Sequence, residues 1–287
     1  MTSFARAVFR LEFDGALFCG WQMQDAGLEA QAKPSLQRTF ESALATVLHL
    51  KKGPTVVGCG RTDAGVHALE FFAHADLPSP DGGGPERLEK IRHSLNAVLP
   101  GPVAVTKAFW ASPGFDAIRS VTRKTYEYRL LLRRCKPALD LGRVYWLPLD
   151  PAREDGFARE PVRDLLRSLA GTHDFRAFAA ANHTAKTTVR EILRAELLEG
   201  AYGTDASAGH LLRFQFEGRG FLKQMVRNLV GNLVDVATGR RTADGFRELL
   251  TNPESLRKDA GLCAPPEGLF LTQVNYDESG APGGPTP

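Results

Sequence analysis

The order in which two hydrophobic periodicities alternate along the chain is the feature that most constrains its fold. Residues 9–13 alternate apolar and charged side chains and end at Asp14-Gly15, which predicts a half-buried strand closed by a turn. Ser35 then suits a helix N-cap, and apolar residues follow it at helical spacing. Read on in this way, the first part of the chain predicts the order strand, helix, strand, strand, helix, strand. The predicted segments are 9–13, 36–48, 55–57, 69–77, 88–98 and 102–109.

The rest of the chain can be read in the same order. The predicted segments are a strand at 122–132, a helix at 162–169, strands at 189–198 and 211–216, a helix at 221–237, an extra helix at 243–250 and a strand at 269–276. The βαββαβ order is typical of the ferredoxin-like unit, which is also the topology of the RNA-recognition module. We therefore predict an α+β fold made of two ferredoxin-like (RRM-like) units with their sheets side by side. The predicted units are 1–112 and 113–276, followed by a Gly/Pro-rich disordered tail at 277–287.

Composition narrows the class of protein. Of the 287 residues, 43% are hydrophobic, which is enough for a large core. No apolar run approaches the roughly 18 residues of a membrane span, and the first residues lack the order of a secretory signal, so we expect a cytoplasmic protein. Arg6 and Arg10 precede the first acid, Glu12, as they would in an organelle transit peptide, but their strict alternation with apolar residues favours a strand.

The cysteines indicate no metal or disulfide framework, and the net charge identifies no particular partner. Cys19, Cys59, Cys135 and Cys263 form no C-x-x-C pair, which argues against a zinc site and a disulfide framework and favours free thiols. Without a cluster of ligands, we predict neither a metal nor another cofactor. A formal net charge of +3 is too small to identify a polyanionic partner.

Basic residues concentrate in one stretch, the basic segment from Arg119 to Arg134. It holds six basic side chains against Glu127 alone. Such a segment is either a solvated face or a surface that binds nucleic acid, and the pattern alone does not choose between them. Its basic members are Arg119, Arg123, Lys124, Arg129, Arg133 and Arg134.

The stretch G-C-G-R-T-D-A-G-V-H-A, residues 58–68, is the tightest predicted loop. Gly58-x-Gly60 after a strand partly fits a dinucleotide fingerprint, but that fingerprint requires a following helix, and residues 69–77 alternate like a strand. The simplest alternative is that Asp63-Ala64-Gly65 only forms a turn.

The chemistry of this loop gives it a second interpretation. Asp63 lies two residues from Arg61, among neighbours small enough to let another molecule approach the backbone. Burial raises the pKa of a carboxyl, whereas a nearby arginine lowers it by about 1–3 units, so a partly dry carboxylate beside arginine stays ionised. An ionised carboxylate of this kind is a nucleophile or a general base, suited to attack on an electron-poor carbon.

Several motifs, in the same order, resemble the tRNA pseudouridine synthase A family. The most specific is the R-T-D-A-G-V-H run, whereas Y-x-Y or E-G-L alone would carry little weight. The resemblance extends from about residue 5 to residue 276. The matching motifs are F-D-G at 13–15, G-W-Q at 20–22, G-R-T-D-A-G-V-H-A at 60–68, Y-x-Y at 126–128, M-V-R-N-L-V-G at 225–231 and E-G-L-F-L at 267–271.

The resemblance implies an isomerase that converts uridine to pseudouridine in tRNA. The base would be detached from C1′, turned and rejoined through C5, with Asp63 as the catalytic carboxylate in a cleft between the two units. Family members act on positions 38–40 of the anticodon stem-loop and work as homodimers. Whether Asp63 attacks covalently or removes a sugar proton stays open at this point.

The resemblance also assigns roles to four substrate-binding residues. Tyr126 would stack on the target base, Arg227 would pair with Asp63, Leu269 would pack on the extruded uracil, and Arg61 would fill the space that the uridine leaves. Read without the resemblance, Tyr126 is an ordinary strand tyrosine paired with Tyr128, and Leu269 is a core residue.

The periodicity of the helix that carries Arg227 predicts two faces. An apolar stripe is expected to be buried, while Lys223 and Arg227 share another face, where two cations would favour a nearby anion. The stripe is Leu222, Val226, Leu229 and Leu233.

One position departs from the family pattern. Ile118 stands where family members commonly carry arginine, and Arg119 follows it, which on a strand would point the arginine to the opposite face.

Two rival functions remain. The first rival is a non-catalytic RNA-binding protein with two RRM-like units, although residues 70–74 do not fit the aromatic pattern of such modules. The second is a ferredoxin-like dimerisation or metabolite-sensing protein.

Overall fold

The computed structural model describes residues 4–22, 33–78, 84–112, 114–149, 156–203 and 209–276. The predicted tail at 277–287 lies outside the described residues. The chain divides into two compact units, the first within Met1–Arg123 and Leu271–Pro287 and the second within Lys124–Phe270. The fold is mixed α/β, with mostly antiparallel strands.

The first unit is built on a mostly antiparallel sheet. Its central strand β1 (Phe4–Phe13) pairs antiparallel with β3 (His67–Pro78) on one side and with β4 (Val103–Trp110) on the other. The two-residue strand β2 (Val57–Gly58) pairs antiparallel with β3. Strand β10 (Leu269–Tyr276) lies beside β3, so that the order is β4-β1-β3-β10.

Two amphipathic helices complete the first unit. In α1 (Leu36–Val47), the Ser35 side chain caps the first turn by accepting from the Arg38 N–H, and Phe40 is buried with its ring 5.3 Å from that of Phe9. Helix α2 (Pro85–Val98) starts with proline, which lacks the N–H that a first turn cannot use. The order predicted for residues 9–109 is confirmed.

The strands of the second unit pair antiparallel, with one parallel addition. The order is β5-β9-β8-β7, formed by β5 (Val121–Leu132), β9 (His210–Gly218), β8 (Val189–Ala201) and β7 (Gly171–Asp174). Strand β6 (Tyr145–Leu147) pairs parallel with β5. The sequence did not predict β6 or β7, because three or four residues are too few to show a periodicity.

Three helices belong to the second unit, α3 (Arg159–Ser168), α4 (Met225–Ala237) and α5 (Ala243–Thr251). The prediction that the central helix starts at Phe221 is wrong, because Gln224 adopts a left-handed conformation with φ 61° and the helix begins after it. The apolar stripe predicted from Leu222 to Leu233 is confirmed as buried. Within α4, Arg227 alone is not buried, so this helix is central to the core.

No helix in the described part of the chain is long and apolar enough to cross a membrane.

Candidate active site

The loop that carries Asp63 runs between β2 and β3 and ends in a tight turn. The Val66 N–H donates to the Asp63 carbonyl oxygen over 3.2 Å, and Gly65, the third residue of this turn, has φ 79°. A positive φ at that position is typical of a type II turn and favours glycine. Because β3 follows the loop, the dinucleotide-binding alternative is excluded by the absence of the helix it would need at residues 67–78, all of which are described.

A second chain segment fixes the backbone of this loop. Gly20 has φ 111°, and a Cβ built on it would lie 2.5 Å from the Thr62 carbonyl oxygen. The next N–H along, that of Trp21, donates to the same oxygen over 3.2 Å. This close approach places the Arg61-Thr62-Asp63 backbone against 20–21, and it requires a residue without a side chain at Gly20.

Side chains of the loop differ in their exposure, which separates their structural and chemical roles. Thr62 is buried at 8% exposure and Val66 at 2%, so both anchor the loop in the core. Asp63 is partly exposed, and Arg61 and Ala64 are exposed. The carboxylate of Asp63 is therefore accessible, and its backbone is held in place by Gly20 and Trp21.

The two tyrosines of the Y-x-Y motif lie on β5 and have different environments. Tyr126 is half-buried opposite Phe216 and contacts the Phe221 ring edge-on, with centroids 5.0 Å apart. Tyr128 is fully buried, and its hydroxyl donates to the Pro265 carbonyl oxygen over 2.7 Å. Burial raises the pKa of Tyr128 well above its ordinary value, so this hydroxyl stays protonated and serves as a structural donor.

Arg227 on α4 is tied to the segment that leads to β10. Its Nε donates to the Ala264 carbonyl oxygen over 2.8 Å, and the Ala264 N–H donates back to the Arg227 carbonyl oxygen over 3.1 Å. Lys223 lies before the helix and donates to the Asn182 side-chain oxygen over 3.1 Å. The prediction that Lys223 and Arg227 share a helix face is therefore wrong.

The segment 261–268, here called the strap, is held on α4 and β5 by contacts that we had not predicted from the sequence. Asn232 accepts the Gly261 N–H over 2.8 Å, and a Cβ on Gly231 would lie 1.7 Å from the Leu262 carbonyl oxygen. At its other end the strap passes so close to Tyr128 that a Cβ on Gly268 would lie 2.7 Å from the ring. Asparagines four residues apart on one helix, Asn228 and Asn232, both fully buried, were the signal available in the sequence.

Leu269 follows the strap directly as the first residue of β10, and it is 6% exposed. The strap thus connects the two residues, because Arg227 contacts it at Ala264 and Leu269 follows its last residue. Arg61 and Asp63 lie two residues apart on the loop between β2 and β3.

The basic segment does not form a uniform basic face. Side chains alternate along β5, so Tyr126 and Tyr128 point one way while Glu127 and Arg129 point the other. Arg129 donates to Glu127 over 2.8 Å and lies 3.8 Å from the centre of the Phe270 ring. Arg129 therefore lies on the opposite face of β5 from the two tyrosines.

Ile118 lies in a turn and not on a strand. The Asp116 side chain accepts the N–H groups of Ile118 and Arg119, each over 2.9 Å, and Ile118 is 54% exposed. The alternation argument that would point Arg119 away from the position of Ile118 therefore does not apply here.

In the described residues no group of three or more His, Cys, Asp or Glu side chains is arranged to hold a metal ion.

Comparison with known proteins assigns the chain to a family. A family described as tRNA pseudouridine synthase matches residues 165–277. A tRNA pseudouridine synthase A from Rhodopseudomonas palustris is 37% identical, with the match covering 96% of this chain and 100% of the relative. Proteins of the same name from Myxococcus xanthus and Rhodospirillum rubrum are 38% and 36% identical, over 98% and 95% of this chain and 97% and 88% of their own lengths.

The family match and the near-full-length relatives define an enzyme of the pseudouridine synthase class, and the mixed α/β fold is compatible with that class. The chain belongs to the tRNA pseudouridine synthase A family and is an isomerase.

Proposed function

We propose that this protein converts uridine to pseudouridine at positions 38–40 of the tRNA anticodon stem-loop, with Asp63 as the catalytic carboxylate. The observation that carries the proposal is the position of Asp63, partly exposed on a turn whose backbone is fixed through Gly20 and Trp21. A carboxylate must be both accessible and immobile to act on a sugar carbon, because misplacement by about 1 Å can cost about 100-fold in rate.

The reaction is an isomerisation that needs no net oxidant or reductant. The N1–C1′ bond breaks with its electron pair going to uracil, a C5–C1′ bond forms, and the C5 proton is lost while N1 gains one. Positive charge develops on the sugar in the first step, and the Asp63 carboxylate stabilises it, either as a covalent nucleophile or as a base.

Three further residues would position the uridine. Tyr126 presents a half-buried ring for stacking on the target base. Arg227, whose Nε is held by the Ala264 carbonyl oxygen, would supply the positive charge that pairs with the Asp63 carboxylate. Leu269 supplies an apolar contact at the end of the strap.

Arg61 is exposed, as a residue must be to replace an extruded uridine. Because extrusion costs a few kcal/mol, an inserted guanidinium that stacks on the neighbouring bases offsets part of that cost.

We also propose the finer architecture that accompanies this function. The sheet order β4-β1-β3 with β2 against β3 supports a ferredoxin-like first unit, and the order β5-β9-β8 is compatible with a second. A cytoplasmic location and a homodimer remain predictions. Size-exclusion chromatography coupled to light scattering would establish the oligomeric state.

The test is tritium release from tRNA transcribed with C5-tritiated uridine. Wild-type protein should release tritium, and Asp63→Asn should release none while keeping the melting temperature of the wild type. Glu12→Gln is the matched control, since Glu12 is an exposed carboxylate of the same unit. Turnover by folded Asp63→Asn would end the assignment, and tRNA binding without turnover by the wild type would favour the non-catalytic RNA-binding alternative.

A further inference from the structure

The second unit contains a cavity of about 360 Å³ that the residues discussed so far as active-site residues do not line. It lies against β5, β8 and β9 and the chain segment that precedes β6. Five charged side chains and one tyrosine dominate its wall. They are Glu127, Arg129, Arg143, Arg213, Asp140 and Tyr202.

Two of these arginines are placed against each other by the strand register. Arg129 on β5 and Arg213 on β9 are direct cross-strand partners. Like charges at such positions destabilise a sheet, because the side chains emerge about 5 Å apart on the same face. A like-charged pair that lines a cavity therefore calls for a negative group between or above the two.

Glu127 meets only part of that requirement. Its Oε1 accepts from the Arg129 Nε over 2.8 Å, and its Oε2 accepts from Gln215 over 3.2 Å. The nearest Arg213 nitrogen is 3.9 Å from that Oε2, which is beyond hydrogen-bond distance. Glu127 is 5% exposed, and of the two guanidinium groups its carboxylate hydrogen-bonds that of Arg129 and makes only a longer ion pair with that of Arg213.

The other carboxylate of the wall is committed elsewhere. Asp140 accepts the Tyr202 hydroxyl over 2.6 Å, and this hydrogen bond is the main cause that raises the pKa of Tyr202. The Arg143 N–H donates to the Asp140 carbonyl oxygen over 2.9 Å, which closes the turn that carries Arg143 to the cavity. Among the described residues that line the cavity, three arginines face two carboxylates, so the formal charges of these five side chains sum to +1.

The shape of the arginines suits an oxyanion. The Arg129 guanidinium lies on the Phe270 ring with its Nε bonded to Glu127, so its orientation is fixed before any ligand arrives. The Arg213 side chain is 40% exposed and approaches Glu127 to 3.9 Å. Guanidinium groups bind phosphate through pairs of parallel N–H donors, so fixed and adaptable arginines together form a fork for such a group.

We propose that this cavity binds a phosphate group through Arg129, Arg143 and Arg213. The group is either a phosphodiester of the RNA substrate, in which case the site extends the RNA-binding surface and rests on the proposed function, or free inorganic phosphate. Both sources share the same chemistry, and they differ in what competes for the site.

The first arm of the test measures tRNA affinity against salt concentration, using Asp63→Asn protein so that binding is observed without turnover. If the cavity holds an RNA phosphate, Arg213→Gln should reduce the magnitude of the slope of log K against log[salt] by about 0.7–0.9, the loss of one phosphate contact. Arg167→Gln is the control, because it removes the same charge from an exposed arginine on α3 that pairs with Asp164. Arg143→Gln serves if Arg213→Gln does not fold.

The second arm measures the melting temperature in inorganic phosphate and in chloride at equal ionic strength. Free phosphate binding would raise the melting temperature of the wild type and not that of Arg213→Gln. A reduced slope without phosphate stabilisation assigns the cavity to RNA, and phosphate stabilisation with an unchanged slope assigns it to the free anion.

Unchanged slope and unchanged melting temperature overturn the proposal, as does an equal loss in Arg167→Gln, which would indicate general charge. Tritium release by wild-type protein in the same preparation separates these outcomes from a failure of the proposed function.

Discussion

At the scale of the residue, the position of Asp63 depends on a residue that carries no functional group. Gly20 lies far from Asp63 in sequence, yet its missing side chain lets the loop backbone approach, with a built Cβ 2.5 Å from the Thr62 carbonyl oxygen. The sequence showed the G-W-Q motif as a mark of resemblance only. A single sequence does not reveal that Gly20 contacts the loop, because the contact is set by tertiary packing across 42 residues, the separation of positions 20 and 62.

Substitution of Gly20 tests this dependence. We expect Gly20→Ala to lose about 1–2 kcal/mol through its left-handed conformation, and more through the clash with the loop, and to lose most of its tritium release. Gly114→Ala is the control, since Gly114 has φ 84° but no atom within 4 Å of a built Cβ, so it carries the conformational cost alone. Denaturant unfolding and turnover would be measured on both variants. Equal activity in the two would show that the contact with Thr62 does not position Asp63.

At the scale of the element, periodicity found the long helices and strands because burial of one face is a strong physical constraint. It misplaced the start of α4, where one residue, Gln224, leaves the helical region. It also could not find the strap, whose position depends on buried polar groups of α4 and on close backbone contacts instead of on a hydrophobic pattern. The resemblance predicted roles for Arg227 and Leu269, and the structure shows the segment that connects these two residues.

Because Asn232 holds the strap at Gly261, we expect it to act as a positioning residue for Arg227 and Leu269. We expect Asn232→Ala to lose about 1–3 kcal/mol of stability, because the Gly261 N–H is left without its acceptor. Because the displaced strap carries the Ala264 carbonyl that holds Arg227, we further expect kcat to fall at a temperature where the variant remains folded.

Asn96→Ala is the matched control for that experiment. Asn96 also bonds backbone groups of another element, accepting from the Val105 N–H over 2.7 Å and donating to its carbonyl oxygen over 2.9 Å, but it belongs to the first unit. Its loss should lower the melting temperature and leave kcat unchanged. A parallel loss of kcat in both variants would mean that Asn232 acts through general stability.

At the scale of the whole molecule, the division of the chain is less simple than its sequence order. The boundaries predicted at 112 and 276 follow the repeat of the βαββαβ pattern, which assigns β10 to the second unit. The structure groups Leu271 onward with the first unit, where the Val274 N–H donates to Glu70 over 2.8 Å and the Tyr276 hydroxyl donates to the Ala117 carbonyl oxygen over 3.1 Å. Periodicity locates a strand, but the sheet it joins is decided by partners distant in sequence.

The first unit therefore needs both parts of the chain to complete its core. The Tyr276 ring packs against Phe72 and Phe115, with centroids 5.2 and 5.1 Å away, and burial raises the pKa of Tyr276 well above its ordinary value.

A fragment comprising residues 1–123 lacks β10 and leaves the rings of Phe72 and Phe115 exposed. We expect it to be largely unfolded or aggregated, and to become folded when residues 271–276 are fused to it through a flexible linker. The same fusion with Tyr276→Ala should restore less structure, since the ring and the bond to Ala117 are both lost. Amide hydrogen exchange in β1 and β3 would measure the difference. Full protection of those strands in the 1–123 fragment would show that the repeat-based boundary defines the folding unit and that β10 adds to a sheet already stable without it.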